Sequence, residues 1–319
     1  MRRTSRISTS PANRWSTSEL LEAKGAGEHR ISVVLPACDE EATVGRVIEA
    51  LRATVAGPER LVDEIVVIDS FSSDATAETA TAAGASVHHC DDIDCGLAAL
   101  PGKGEALWRS LFVTHGDLVV FIDADLEDAG PHYVTGLLGP LLTETSVELV
   151  KGFYDRPLLT DTGVVPHGGG RVTELMARPL LNLHWPALAD VVQPLAGEYA
   201  ARRSLLESLP FPVGYGVEMA LLVDTLAQRG PSAIAQVDLG RRTHRHQAPA
   251  ALGVMAAQVL ATAHRRLGLE PVTTAMRQFV RTDGTTTSVD TDIEHRERPP
   301  ASTVEAYRRA PAHRRAVGT

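Results

Sequence analysis

One apolar run in this chain ends in a knot of acids: LVVFIDADLED, residues 118–128, leads straight into Asp123, Asp125, Glu127 and Asp128. Side chains at a strand-to-turn transition can converge, so Asp123 and Asp125 could bind one hard cation or divide metal and ribose contacts between them. The same spacing also suits a solvated turn that caps the following helix. Its place at the end of a strong strand, beside two other polar strand ends, favours the chemical reading. Glu127 and Asp128 read as helix-start acids. A second constellation is GGGRVTEL, 168–175. Three glycines lead into a helix whose first turn carries Arg171 and Thr173, so free N–H groups, a hydroxyl and a forked guanidinium meet as an anion site. RRTHRH, 241–246, concentrates positive charge after AIAQVDLG, and by itself reads equally as a solvated basic face. GYGVEMALL, 214–222, sets Glu218 at a helix start, where it suits the helix dipole and could accept hydrogen bonds from sugar hydroxyls.

The elements that must position these groups alternate in type. ISVVLP (31–36), DEIVVIDS (63–70), ASVHH and DLVVFID (117–123) read as strands; a helical pattern through Leu51, SSDATAETATAAG (72–84) and GEALWRSLFVTHG read as helices between them. Such alternation predicts right-handed βαβ units and a mostly parallel α/β sheet, in which ligands sit at the carboxyl ends of the strands. Those ends are PACDEE, DSFSSD and DADLED, all acidic or hydroxylated. They suit ribose hydroxyls, a base edge and a metal-bound diphosphate rather than naked phosphate. A dinucleotide fingerprint would need G-x-G-x-x-G where PACDEE stands, and PGKGE (101–105) lacks the hydroxyl that a Walker loop places after its lysine.

Bulk properties narrow the class further. The chain has 319 residues, 44% of them hydrophobic and 22% charged, which is ordinary for a globular protein. Its net charge of -9 disfavours non-specific binding to nucleic acid or an anionic membrane, so an anionic substrate must be held by local basic groups. Three cysteines, an odd number, fit a reducing compartment, and MRRTSRISTSPANRW has no apolar core of a leader; we expect a cytoplasmic protein without a membrane span. Residues 1–29 and 282–319 are polar and weakly periodic, and read as a loose N-terminal arm and C-terminal tail.

The ordered runs VVLPACDEEATVG, VVIDSFSSDAT, PGKGEALWRSL and VVFIDADL resemble the nucleotide-binding half of GT-A-fold glycosyltransferases. With GGGRVTELMARPLL, QPLAGEYAARR, PFPVGYGVEMALL and LGRRTHRH, the stretch from 31 to 267 is similar to the actinobacterial glucosyl-3-phosphoglycerate synthases. That resemblance implies a GT-A fold with a nucleotide-sugar half, 30–155, and an acceptor half, 156–281. It implies a retaining transfer of glucose from UDP-glucose to 3-phosphoglycerate, and a homodimer. Asp125 and His244 would ligate Mg²⁺ or Mn²⁺, with Asp123 and Ala124 beside the ribose or metal shell. Pro36, Ala37, Glu40 and Ser70 would hold the uridine, and Lys103 would face the diphosphate or base. Glu218, Gly197 and Tyr199 would line the sugar pocket, with Glu218 counted among the catalytic groups beside Asp125 and His244. Gly170, Arg171, Val172 and Thr173, with Arg242 and His246, would take the acceptor. HHCDDIDC (88–95), with His88, His89, Cys90 and Cys95, has the density of a metal site but no C-x-x-C pair, and falls in a variable loop of the family. Three residues depart from the family pattern: Phe71 stands for a common Gly, Asp39 for Asn, and His246 for an expected Asn. They keep open another donor, such as GDP-mannose or another NDP-glucose, or a specialised-metabolite acceptor. A catalytically silent nucleotide-sugar scaffold is the rival of another class.

Overall fold

The runs ISVVLP, EIVVID and LVVF are apolar on both alternating faces, as strands covered on both sides must be. The computed structural model describes residues 7–54, 60–156, 158–160, 163–165, 170–242 and 248–309. Its strands are β1 (Ser8–Pro11), β2 (Ile31–Ala37), β3 (Glu64–Asp69), β4 (Ser86–His89), β5 (Leu118–Phe121) and β6 (Leu149–Asp155). There follow a short pair β7 (Leu158–Thr160) and β8 (Gly163–Val165), then β9 (Tyr199–Arg202), β10 (Phe211–Pro212), β11 (Ile234–Arg241), β12 (Ala275–Thr282), β13 (Thr285–Asp292) and β14 (Glu297–Arg298). The helices are α1 (Thr17–Ala26), α2 (Val44–Leu51), α3 (Thr76–Ala82), α4 (Lys103–Val113), α5 (Pro131–Thr143), α6 (Arg178–His184), α7 (Arg203–Leu206), α8 (Val217–Arg229), α9 (Pro249–Arg266) and α10 (Glu305–Arg309).

Eight strands form one sheet in the order β1-β11-β6-β9-β5-β2-β3-β4, parallel except for β9, which runs antiparallel between β5 and β6. Two buried clusters cover its faces. One gathers Leu20, Val44, Val47, Ile48, Tyr133 and Leu137 from α1, α2 and α5; the other gathers Trp108, Leu111, Val217 and Leu221 from α4 and α8. The sequence reading of a mostly parallel α/β sheet matches this architecture, and the sheet crosses the expected boundary at 155 without interruption, joining β6, β9 and β11.

The loose N-terminal arm expected over 1–29 is corrected for the residues described, from 7 onward. β1 pairs in parallel with β11, Ser8 opposite Ala235. A capping box then starts α1: the Ser16 side chain accepts from the Glu19 N–H while Glu19 accepts from the Ser16 N–H. Leu20 is fully buried, and a Cβ at Gly139 of α5 would lie 2.1 Å from the Trp15 ring, so the helix has left that space to the tryptophan. The loose tail expected over 282–319 is corrected as well, for the residues described. β12 and β13 form an antiparallel hairpin, β14 pairs with β10, and Ala301 and Tyr307 are buried. Ala301 and Tyr307 join the hydrophobic core, and polar contacts fasten the segment as well: Trp108 Nε1 donates to the Pro299 carbonyl at 2.8 Å, and Arg298 meets the fully buried Glu105. Composition hides both segments because each is fastened by a few long-range contacts rather than by a periodic apolar face.

Candidate active site

The carboxyl ends of β2, β3 and β5 open into a cavity of about 530 Å³, a size usual for small-ligand sites. Pro36, Ala37, Glu40 and Ser70 line it from the first two strand ends, and Asp123, Ala124 and Asp125 from the third. Gly170, Arg171, Val172 and Thr173 line it where a π-helical turn, Thr173–Ala177, begins. Lys103, Glu218 and Arg242 complete the set of expected residues in its lining.

Lys103 opens α4 because Gly102 and Gly104 let the helix start press against the neighbouring chain. A Cβ at 104 would lie 1.8 Å from the Pro212 carbonyl oxygen, and one at 102 would lie 2.4 Å from that of Val213. The PGKGE glycines thus serve close backbone approach, not phosphate wrapping. From this position the Lys103 ammonium bridges Asp123 at 2.6 Å and Glu218, in the first turn of α8, at 2.9 Å. Burial works against its charge, but those two carboxylates hold its pKa well above the usual lysine value.

Arg242, 4% exposed, shares Asp123 with Lys103 and reaches it from beyond β11. One of its nitrogens meets Asp125 at 2.8 Å and Asp123 at 3.2 Å; another donates to the Tyr154 hydroxyl at 2.7 Å and pairs with Glu198 at 2.9 Å. Burial pushes the Asp123 carboxyl up, yet Lys103 and Arg242 outweigh it and hold Asp123 far below the usual carboxylate range. Glu198, fully buried, is pushed up by burial despite Arg242. Arg242 was expected at the acceptor; it lines the cavity but spends its guanidinium on the acidic cluster. Asp125 differs from Asp123. Its side chain is 42% exposed, and its one partner among the described residues, Arg242, engages a single oxygen. A half-exposed carboxylate with an oxygen to spare fits a hard cation that shares its shell with diphosphate oxygens. No group of three metal-binding side chains occurs among the described residues, so Asp125 is the one expected protein ligand in view. His244, its expected companion, and His246 lie outside the described residues.

Two expected sugar-pocket residues stand elsewhere. Tyr199 is fully buried in β9, its ring 5.0 Å from that of Phe121 and 4.4 Å from the Lys151 ammonium, and it does not line the cavity. Gly197 also stays out of the lining, but a Cβ there would fall 2.1 and 2.2 Å from the two Asp123 carboxylate oxygens. It is the space that Asp123 occupies. Phe71 and Asp39 have φ angles of 64° and 56°, where glycine is at ease and Asn or Asp tolerated; that accommodates Asp39, and nothing in the structure explains the phenylalanine at 71. Asp39 accepts from the Ser73 N–H at 2.7 Å, Phe71 is 46% exposed, and neither lines the cavity.

Sequence reasoning missed Glu198, Leu195, Tyr215, Gln258 and Glu294. Leu195, Tyr215, Gln258 and Glu294 line the cavity, the last from the segment read as a tail. Glu198 was signalled by a charge inside PLAGEYA, an otherwise apolar stretch.

The family model described as glycosyl transferase family 2 matches residues 32–159. A glucosyl-3-phosphoglycerate synthase of Mycolicibacterium paratuberculosis is 52% identical over 269 residues, 83% of this chain and 80% of that protein. The crystal structure of glucosyl-3-phosphoglycerate synthase from Mycobacterium tuberculosis in complex with Mn²⁺, UDP-glucose and phosphoglyceric acid aligns with a TM-score of 0.84 at 45% identity, covering 93% of this chain and 98% of that one. A complex of the same enzyme with Mn²⁺, UDP and glucosyl-3-phosphoglycerate aligns with a TM-score of 0.83 at 46% identity, covering 93% and 99%.

Proposed function

The chain belongs to the glucosyl-3-phosphoglycerate synthase family, and from that premise we propose that it is a metal-dependent, retaining GT-A glucosyltransferase that moves glucose from UDP-glucose to D-3-phosphoglycerate. One observation carries the reading: the half-exposed Asp125 and the residues Gly170–Thr173, expected to take the acceptor's anionic group, belong to the lining of one cavity, together with Lys103 and Glu218. A donor diphosphate and a phosphorylated acceptor can therefore meet there.

Each side chain has a task that its surroundings allow. Pro36, Ala37, Glu40 and Ser70 border the place for the uridine, and Asp123, kept ionised, faces the ribose side. Lys103 is a fixed positive charge beside the diphosphate, with Glu218 behind it to orient the sugar or the acceptor. Asp125 and His244 would hold Mg²⁺ or Mn²⁺, which when bound neutralises charge on the departing diphosphate. The acceptor hydroxyl attacks on the face that the leaving group vacates. The anomeric carbon–phosphate oxygen bond breaks, the carbon–acceptor oxygen bond forms, and the hydroxyl proton passes to the leaving diphosphate. No side chain is assigned as a nucleophile.

The DxD pair is Asp123 and Asp125. A homodimer is supported by the exposure of Leu175 and Leu183, 78% and 76%, in the helical stretch that begins at Thr173. A cytoplasmic setting is supported by three unpaired cysteines. No helix among the described residues is long and apolar enough to cross a membrane.

The test is direct. Purified protein with Mn²⁺, UDP-glucose and 3-phosphoglycerate should release UDP and form an α-glucoside, read from the anomeric proton coupling. No UDP release with this acceptor across several nucleotide sugars would remove the reading. Arg171→Ala should raise the KM for 3-phosphoglycerate about tenfold or more with kcat little changed, because a charge-assisted contact is worth about 1.5–3 kcal/mol. An unchanged KM would move the acceptor elsewhere.

A further inference from the structure

Residues 189–198 have no regular helix or strand, yet they bring Leu195 to the cavity and Gly197 and Glu198 to Asp123 and Arg242. Side chains hold this segment from below. Gln236 of β11 accepts from the Val192 N–H at 2.9 Å and donates to the Asp190 carbonyl at 3.0 Å; Gln193 donates to the Tyr154 carbonyl at 2.5 Å. Lys151 of β6, 2% exposed, donates its ammonium to the Ala196 carbonyl at 2.5 Å. Register places Gln236 opposite Lys151, and Lys151 opposite Tyr199, so a polar row crosses the sheet under the segment.

Lys151 is the costly member. Among the described residues no carboxylate lies within ion-pair distance of it, and it does not line the cavity; the face of the Tyr199 ring is its other contact. An isolated buried ammonium disfavours folding unless something holds it. We propose that Lys151 is a positioning residue for the transfer reaction: through the Ala196 carbonyl it sets Gly197 and Glu198, and with them the seats of Asp123 and Arg242. It also adds a third cation, with Lys103 and Arg242, against Asp123, Asp125, Glu198 and Glu218. The proposal rests on the transferase reading of the site.

Burial lowers the Lys151 pKa to about 8; Glu218 from α8, Glu198 from the held segment and Asp123 after β5 favour its charge, while Lys103 from α4 opposes it. The charged form therefore prevails below that pH and is lost above it.

Lys151→Met keeps the length of the side chain and removes the donor. In wild type, kcat should fall as pH rises through about 8. In the variant, kcat should be about 100-fold lower and flat across that range, as displacement of a site by about 1 Å can produce. UDP affinity with Mn²⁺, read by calorimetry, should weaken about tenfold while the acceptor KM holds, since Asp123 serves the donor side. If Lys151→Met does not fold, Lys151→Gln is measured in its place, with melting temperature as the control. Wild-type kcat per folded molecule with unchanged UDP affinity overturns the proposal. Absence of transfer by the wild type sinks the transferase reading instead, and the ratio of UDP affinities still decides on Lys151.

Discussion

Asp125→Ala abolishes transfer and leaves the fold intact: that is the expected result, with kcat/KM reduced at least about a thousandfold, equivalent to roughly 4 kcal/mol of lost transition-state stabilisation. The size follows from the role. A cation that neutralises the departing diphosphate contributes several kcal/mol, and Asp125 is the expected carboxylate ligand with an oxygen left over. Structural loss should be small, because the side chain is 42% exposed and Arg242 keeps Asp123, Glu198 and Tyr154 when Asp125 is gone. Steady-state kinetics, circular dichroism and calorimetric titration of Mn²⁺ in the presence of UDP read the three parts separately. Full activity in the variant would sink the metal assignment, and unchanged Mn²⁺ affinity with lost turnover would give Asp125 another task.

The largest stability effect is expected far from that carboxylate, at Arg298. Its guanidinium donates to both oxygens of Glu105, at 2.5 and 2.8 Å, and lies over the Trp108 ring. Glu105 is fully buried and otherwise relies on Arg109, at 2.6 Å, and a long bond from the Leu100 N–H at 3.4 Å. Removing one partner from a buried ion cluster strands charge in low dielectric, which costs about 3–5 kcal/mol. Because Arg109 remains, Arg298→Ala should lose about 3 kcal/mol, seen as a lower urea midpoint with little change in slope. An unchanged midpoint would mean that the C-terminal segment is not fastened through Glu105. Since Glu105 and Lys103 share the first turn of α4, the variant should also blunt activity.

Much of the donor side was legible because parallel strands announce themselves. ISVVLP, EIVVID and LVVF are buried on both faces and end in acids, and the carboxyl-end rule then located Pro36, Ala37, Ser70, Asp123 and Asp125 at one cavity. Helix-start chemistry drew attention to GGGRVTEL, of which Gly170–Thr173 line the same cavity. Lys151 was not legible, and Arg242 was legible as a cavity residue but not as a partner of Asp123, Asp125 and Glu198, since a basic residue in a sequence says nothing of whether burial will set it against carboxylates. Tyr199, expected in the sugar pocket, lies buried in β9 outside the cavity lining, because its ring packs against Phe121 and Lys151 inside the sheet. The terminal segments were misread because ISTSP is held mainly through its backbone and the tail through Arg298, Trp108 and Tyr307.

The single reversed strand has a consequence for how the chain is made. β9 separates β5 from β6, yet Tyr199–Arg202 emerges after both of its neighbours. Until then the flank of LVVF that will meet it is an open apolar edge, the kind that recruits foreign strands. Ser8–Pro11 waits longer still, since its partner Ile234–Arg241 follows every other strand of the sheet. A ribosome delivering this protein from the N-terminus therefore holds a half-built sheet that lacks two strands, β9 at its centre and β11 next to the rim strand β1. Of the eight strands described in this sheet, the earliest in the chain is the last to be seated, and the acids of the site can be brought to Arg242 only when β11, which precedes it, has closed behind them.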